Sequence, residues 1–374
     1  MLISVRGLMI FTLFLLGCES KIPSIQSGKE VSFIKVPDGF HIEVYADNVD
    51  GAREMTLSPN GIIYVGTRNG KVHAVLDRNN DHVADTVITI LKGLNSPNGV
   101  AWRDGSLYVG EINRVTRYDD IDNHLDNPPT PVVINDQFPS DQHHGQKYIA
   151  FGPDGKFYIP VGAPCNICEP DPRRYANLQR MDADGNNREI YATGIRNTVG
   201  FDWDPETGDL WFTDNGRDLL GDNKPPDELN HTTKSGQNFG YPYLHGNDIW
   251  DPQYGDKGKN MNVDFTTPAQ ELDPHVASLG MHFYRGHMFP AKYHHQIFIA
   301  EHGSWNRSEK IGYRVTLVTL DQNRKPITYE PFAEGWLQGS NTVVGRPVAL
   351  LELPDGSLLV SDDYGDRIYR IWYQ

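Results

Sequence analysis

The sequence predicts an all-β fold, a six-bladed β-propeller of four-stranded antiparallel sheets, and three observations carry that expectation. The 374 residues include 36 Gly and 25 Pro, with few long stretches free of both, which disfavours extended helices and favours short strands joined by turns. A unit of apolar stretch, tight turn and alternating strand recurs six times. Its first four copies start between 43 residues (Leu57 to Val100) and 52 residues (Ile149 to Phe201) apart, the length of one propeller blade.

Taken in chain order, the first residues stand apart from the fold. Arg6 precedes an apolar run from Leu8 to Leu16, too short to span a bilayer but long enough for an export signal. Leu15-Leu16-Gly17-Cys18 is similar to a bacterial lipobox, which makes residues 1–17 a signal peptide, Cys18 a lipidated first residue, and 18–30 a polar tether. The protein is then expected in the cell envelope, held to a membrane by its lipid alone. Residues 31–374 form the propeller. Phe40 to Ala46 alternates cleanly and is expected to pair with the C-terminal strand Arg367 to Trp372, closing the ring and hiding both edges.

The six copies follow. They read LSPNGIIYVGT from Leu57, VAWRDGSLYVGE from Val100, IAFGPDGKFYIPVG from Ile149, FDWDPETGDLWFTDNG from Phe201, YHHQIFIAEHGS from Tyr293 with a degenerate turn, and ALLELPDGSLLVSDD from Ala349. Asn-Gly, Asp-Gly and Thr-Gly supply the positive φ of a tight hairpin, and the β-branched and aromatic residues after them suit a half-buried strand. Trp203, Trp211, Tyr108 and Tyr158 fall where stacked sheets meet and read as packing aromatics. The interval from Phe201 to Tyr293 is wider and holds Gly-Tyr-Pro-Tyr and Asp-Pro-Gln-Tyr-Gly-Asp, a long excursion of the kind that carries function. Substrate selectivity is expected in Tyr241 to Tyr254 and around Trp336.

The net charge of −15, without a concentrated basic patch, disfavours nucleic acid and anionic lipid as partners. In an exported chain, Cys165-Asn-Ile-Cys168 reads as a local disulfide, since zinc would need further ligands and no second CxxC exists. Cys168 is followed by Glu169, so no CxxCH haem motif is present and electrons would leave to a separate acceptor.

Three fragments carry the chemistry: His143-His144-Gly145, Ile195-Arg196-Asn197, and Asp214-Asn215-Gly216-Arg217 with the Asp227-Glu228 that follows. A base, a cation beside an amide and an oxygen-rich turn suit an anionic, metal-bound cofactor held over an oxidisable alcohol.

With HHGQKYIAFGPDGKFYIPVGAPCNIC, ATGIRNTVGFDWDPETGDLWFTDNGRD, PPDELN, NFGYP, EHGSWNR and GRPVALLELPDGSLLVSDD in view, the chain resembles the soluble glucose/sorbosone dehydrogenases that depend on pyrroloquinoline quinone (PQQ), the aldose sugar dehydrogenases among them, over about residues 33–374. APCNIC, EHGSWNR and PPDELN look closest to the sorbosone dehydrogenase branch. The resemblance implies a sugar or related polyol or aldehyde as substrate, and PQQ and calcium as cofactors. His144 would be the catalytic base, with Arg196 and Asn197 contacting the quinone and Arg346 pairing a cofactor carboxylate. Gly216 and Arg217 would offer main-chain oxygens to calcium, and Asp227 and Glu228 carboxylates to a second one. Asn98 falls near a family glutamine beside the base. Two positions depart from the family: Val344 stands where a second arginine is usual, and His302 where a lysine is, so that either His302, Asn306 or Arg307 replaces the lysine's contact with the quinone, or the cofactor binds more weakly, or it is absent.

Two other functions fit a six-bladed ring. One is a calcium-dependent lactonase, which gives His144 and Arg196-Asn197 no obvious use; the other is a non-catalytic binding module.

Overall fold

The computed structural model describes residues 26–374; the signal segment 1–17, Cys18 and most of the tether lie outside the described residues. Six antiparallel sheets follow one another along the chain. Blade 1 consists of Met55–Leu57, Ile63–Gly66, Val72–Leu76 and Thr86–Leu91, and blade 2 of Gly99–Arg103, Ser106–Gly110, Val115–Asp119 and Val132–Asn135. Blade 3 takes Ala150–Phe151, Phe157–Val161, Asn177–Met181 and Glu189–Thr193; blade 4 takes Phe201–Trp203, Leu210–Asp214, Glu228–Thr232 and Gln270–Glu271. Blade 5 is Ser278–Phe283, Ile297–Glu301, Arg314–Leu320 and Pro326–Glu334.

Blade 6 is assembled from both ends of the chain. Pro347–Glu352, Leu358–Asp362 and Arg367–Tyr373 are completed by Phe40–Ala46, which pairs antiparallel with the last strand, Phe40 opposite Tyr373 and Ile42 opposite Ile371. The expected closure is therefore present. Gly28 N donates to Val44 O at 2.8 Å and Val31 N to Ile42 O at 3.0 Å, so chain pairing begins before residue 31, where the sequence reading placed the boundary.

Packing explains why the second strand of each blade reads as a continuous apolar run. Successive side chains of a strand point to opposite faces of its sheet, and in a ring both faces are covered by neighbours. In blade 1, Ile63 and Val65 join a core with blade 6, while Tyr64 joins one with blade 2. In blade 3, Phe157 and Ile159 pack toward blade 2 and Tyr158 toward blade 4. In blade 4, Trp211 packs toward blade 5, and its neighbours Leu210 and Phe212 toward blade 3. Six such apolar clusters separate the blades, each one half of its neighbours' support. Trp203 also packs as expected, edge-on to Tyr158 at 5.1 Å.

The hairpin turns behave as the sequence predicts: Gly61, Gly105, Gly155, Gly208 and Gly356 take φ between 75° and 88°. Three details differ. Blade 3 gains a fifth strand, Gln237–Asn238, pairing parallel to its outer edge, because the excursion from blade 4 folds back across it. The fifth copy is not a tight hairpin; Ile297–Glu301 pairs with Ser278–Phe283 across residues 284–296. Trp336 is fully buried against Tyr369, so it belongs to the core and not to a selectivity loop. Among the described residues no helix is long and apolar enough to cross a membrane.

Candidate active site

Strand direction decides where functional loops gather. The first strand of each blade runs away from one end of the ring and the second returns to it, so the segments preceding first strands and following second strands share one face. His144 and Arg196-Asn197 precede the first strands of blades 3 and 4, and Arg346 that of blade 6; Gly216 and His302 follow the second strands of blades 4 and 5. All six line one cavity of about 340 Å³. Residues separated by some 200 positions in sequence are thus brought together by the ring alone.

His144 is held in the left-handed region, φ 50°, and Gly162 lies so close beneath it that a Cβ there would stand 2.6 Å from His144 Cβ. Its Nδ1 lies 2.9 Å from Ala163 O. A carbonyl can only accept, so Nδ1 carries the hydrogen and Nε2 keeps its lone pair. Burial, then the nearby Arg196 and His143, lower its pKa to about 2, which keeps the ring neutral.

Arg196 is buried and tightly held. Nε donates to Asn166 O (2.9 Å), Nη1 to Asn215 O (3.0 Å), and Nη2 to Asn166 Oδ1 (2.9 Å) and Asp218 Oδ2 (3.0 Å). Four of its five N–H groups are spent, and one on Nη1 is left. The Asp214 carboxylate accepts the main-chain N–H groups of both Arg196 (2.8 Å) and Asn197 (2.6 Å), fixing the direction of that step. Burial raises Asp214 to about 6. The Asn197 side-chain amide has no partner among the described residues.

The cavity has a second cationic wall. Arg68, from the loop after the second strand of blade 1, lines it together with Arg346. Neither guanidinium has a hydrogen-bonding or ion-pair partner among the described residues; Arg346 only stacks over Tyr364, 5.0 Å from the ring. The adjacent Arg53, followed by desolvation, lowers the pKa of Arg68 to about 9, although Asp363 opposes this. Asp363 is already engaged by Arg53 and by His302 Nε2 (2.8 Å). Sequence reasoning missed Arg68, which sits in an ordinary Thr-Arg-Asn-Gly-Lys hairpin; the one signal was the positive charge lacking at Val344 and His302.

Three expected site residues, Asn98, Glu228 and Arg307, do not line the cavity. Asn98 is buried beneath the cavity floor, accepting from Arg53 Nε and donating to Lys147 O at 2.7 Å, so it supports the scaffold and reaches no ligand. The Arg217 side chain donates to Asp251, 2.6 Å, while its expected role concerns the main-chain oxygen. Glu228 is buried with Gly246 N (2.7 Å) and Asn230 Nδ2 (3.0 Å) on its oxygens, and does not line the cavity. Arg307 binds the Asp222 carbonyl and does not substitute for the family lysine, whereas Asn306 does line the cavity, with Oδ1 buried and unpartnered. Asp227 borders the cavity, but both its oxygens accept main-chain N–H groups, Gly216 at 2.9 Å and Ser278 at 3.1 Å. Among the described residues no three His, Cys, Asp or Glu side chains converge as a metal site. Cys165 and Cys168 are disulfide-bonded, as expected.

Residues 110–304 match the glucose/sorbosone dehydrogenase family. An uncharacterised protein of Borreliella burgdorferi is 34% identical over 378 residues, covering 98% of this chain and 97% of that one. Among solved structures, a Trichoderma reesei protein of carbohydrate-active enzyme family AA12 superposes with TM-score 0.75 (18% identity; 94% of this chain, 99% of that one). The PQQ domain of Coprinopsis cinerea pyranose dehydrogenase gives 0.73 (19%; 94% and 98%), and the PQQ-bound aldose sugar dehydrogenase of Streptomyces coelicolor 0.65 (18%; 91% and 100%). These structures share the fold; the family match, over just more than half of the chain, places this chain in the glucose/sorbosone dehydrogenase family.

Proposed function

We propose that this chain is a PQQ-dependent oxidoreductase that oxidises a sugar, or a related polyol or aldehyde hydrate, at a carbon bearing a hydroxyl. One observation carries the reading: a neutral histidine with a free Nε2 shares a 340 Å³ cavity with two unpaired guanidiniums, Arg68 and Arg346. Arg68 is exposed and Arg346 half-buried, and two guanidiniums without a protein partner on one cavity favour a flat ligand with several carboxylates, which they can meet by charge-assisted, forked hydrogen bonds. The donor set therefore fits PQQ. Arg68 and Arg346 would hold its carboxylates, and the remaining Nη1 hydrogen of Arg196 and the amide of Asn197 would meet its oxygens.

When bound, PQQ supplies a two-electron acceptor for the hydride leaving the substrate carbon. His144 Nε2 takes the hydroxyl proton at the same carbon, a contribution of about 10²- to 10⁴-fold for a well-placed base. The Ala163 carbonyl stabilises the imidazolium so formed, because it already accepts from Nδ1.

Calcium belongs to this reading as an ion held by main-chain oxygens at Gly216 and Arg217; among the described residues no three His, Cys, Asp or Glu side chains converge on one point. The same lack of converging side chains gives little support to a lactonase that depends on metal-activated water. Export, lipidation at Cys18 and a separate electron acceptor in the cell envelope complete the proposal.

Titrating apo protein with PQQ in calcium buffer, then adding aldoses, sorbosone and polyols with a reducible dye, tests it. Stoichiometric uptake followed by sugar-dependent dye reduction is expected. Absence of PQQ uptake overturns the reading.

A further inference from the structure

One residue outside the expected site takes more of Arg196 than any other. Asn166 lies inside the four-residue loop closed by the Cys165–Cys168 disulfide. Its main-chain oxygen accepts Arg196 Nε at 2.9 Å and its Oδ1 accepts Arg196 Nη2 at 2.9 Å. The same Oδ1 accepts Asp218 N (2.8 Å), and Asn166 Nδ2 donates to Asp218 O (3.2 Å). Asp218 in turn accepts the other Nη2 bond (3.0 Å). Two of the four bonds from the arginine fork thus end on Asn166, and a third ends on a residue that Asn166 fixes.

The loop contains no strand; Cys165 and Ile167 pack against the buried Ala163, Ala176 and Tyr241. Further contacts run to the excursion of blade 4: Tyr241 Oη accepts Cys168 N at 3.1 Å, and Tyr243 Oη donates to Glu169 at 2.5 Å. A long side chain such as arginine loses considerable rotamer freedom when fixed, so its acceptors must be rigid to keep it aimed. A covalent closure one residue before and two after Asn166 provides that rigidity.

We propose that Asn166 is a positioning residue for Arg196, and that the Cys165–Cys168 disulfide keeps Asn166 in register, so that the aim of the site's central arginine depends on the loop being oxidised. The consequence for cofactor binding rests on the proposed function; the hold on Arg196 does not. Reduction by a dithiol delivers two electrons and two protons, leaving Cys165 and Cys168 as thiols and the reductant as its own disulfide. The bond is half-buried, within reach of a small reductant.

Hydrogen exchange at Arg196 Nε–H, read by NMR on the full-length protein without ligand, measures the hold directly. Slow exchange is expected in the wild type, with exchange at least about tenfold faster in the double variant Cys165→Ser/Cys168→Ser and in wild type treated with a dithiol. Asn166→Ala, which keeps the main-chain acceptor, should fall between, and Asn166→Asp, which keeps both acceptors, should stay within about threefold of wild type. PQQ affinity should follow the same order, weakening about tenfold where the hold is lost, as expected for a hydrogen bond to a charged group. Unchanged exchange in Asn166→Ala and after reduction overturns the proposal. If exchange responds and wild type takes up no PQQ, the cofactor reading fails and the hold stands. Should the cysteine variant not fold, the dithiol-treated wild type and Asn166→Ala decide the matter.

Discussion

At one end of the ring the blades turn over in short, exposed hairpins; at the other, the same strands are joined by loops that bury arginines, histidines and carboxylates. Asp104-Gly105 joins two strands of blade 2 with φ of 49° and 81°, and a Cβ on Gly105 would meet nothing within 4 Å. Gly162, at the site end, has no such space, and His144 beside it holds a backbone conformation that few non-glycine residues adopt. Local turn chemistry specifies the first end. The second is specified by neighbours distant in sequence, and it presents the Arg68 and Arg346 guanidiniums without a protein partner among the described residues. One repeat thus supplies both a stabilising scaffold and a region where stability is given up for binding.

The contrast makes graded predictions. His144→Asn should have the largest effect, lowering kcat by about 10²- to 10⁴-fold while PQQ affinity stays within about threefold, because asparagine tolerates the left-handed backbone but cannot act as the base. Steady-state kinetics beside a fluorescence titration checks it; an unchanged kcat would remove His144 from the chemistry. Arg68→Gln and Arg346→Gln should each weaken PQQ binding by about 10- to 100-fold, roughly 1.5–3 kcal/mol for a hydrogen bond to a charged group, and should flatten its dependence on salt. Equal effects from blades 1 and 6 would show that Arg68 does the work of the arginine missing at Val344.

At the opposite end, Gly105→Ala should cost about 1–2 kcal/mol in urea unfolding, the strain of a left-handed L-residue, with kcat and PQQ affinity unchanged. A catalytic defect there would break the division between the two ends.

The smallest effect concerns pH. Burial raises Asp214 to about 6, Asp227 to about 7 and Glu228 to about 8. Each binds its proton more tightly folded than unfolded, so its stabilising contribution is complete below about pH 4 and is lost as pH rises through those values. In Glu228→Gln an amide flip of Asn230 would also satisfy its unpartnered Oδ1. That variant should lose less stability than wild type between pH 5 and pH 8, by on the order of 1 kcal/mol. An identical pH slope in both proteins would refute this account.

The scaffold end was legible in the sequence because its signals are local: an Asp-Gly turn, an alternating strand and a fixed interval suffice, and the seam strand Phe40–Ala46 showed itself by alternation alone. The site end was legible only where the chemistry lies within a short motif. Arg196-Asn197 and His144 could be read from their fragments, and the structure brings them together. Arg68 could not, because nothing around it distinguishes a cavity arginine from a solvated one; ring closure alone puts blade 1 beside blade 6. Glu228 and Asn98 failed for the converse reason. Glu228 follows Asp227, which borders the cavity, but its own oxygens are taken by Gly246 N and Asn230 Nδ2, and Asn98 is consumed by Arg53 and Lys147 O. Trp336 misled because turn-forming Gly335 precedes it, while its indole packs on Tyr369 of the last strand.

The pairing of Phe40–Ala46 with Arg367–Tyr373 has a temporal meaning. Synthesis proceeds from the amino end, so the segment that finishes blade 6 emerges before every other blade strand and waits for its partner until Arg367–Tyr373 leaves the ribosome. The circle cannot be sealed before that strand is made. A truncation that removes Arg367–Tyr373 leaves two strands, Leu358–Asp362 and Phe40–Ala46, with nothing between them.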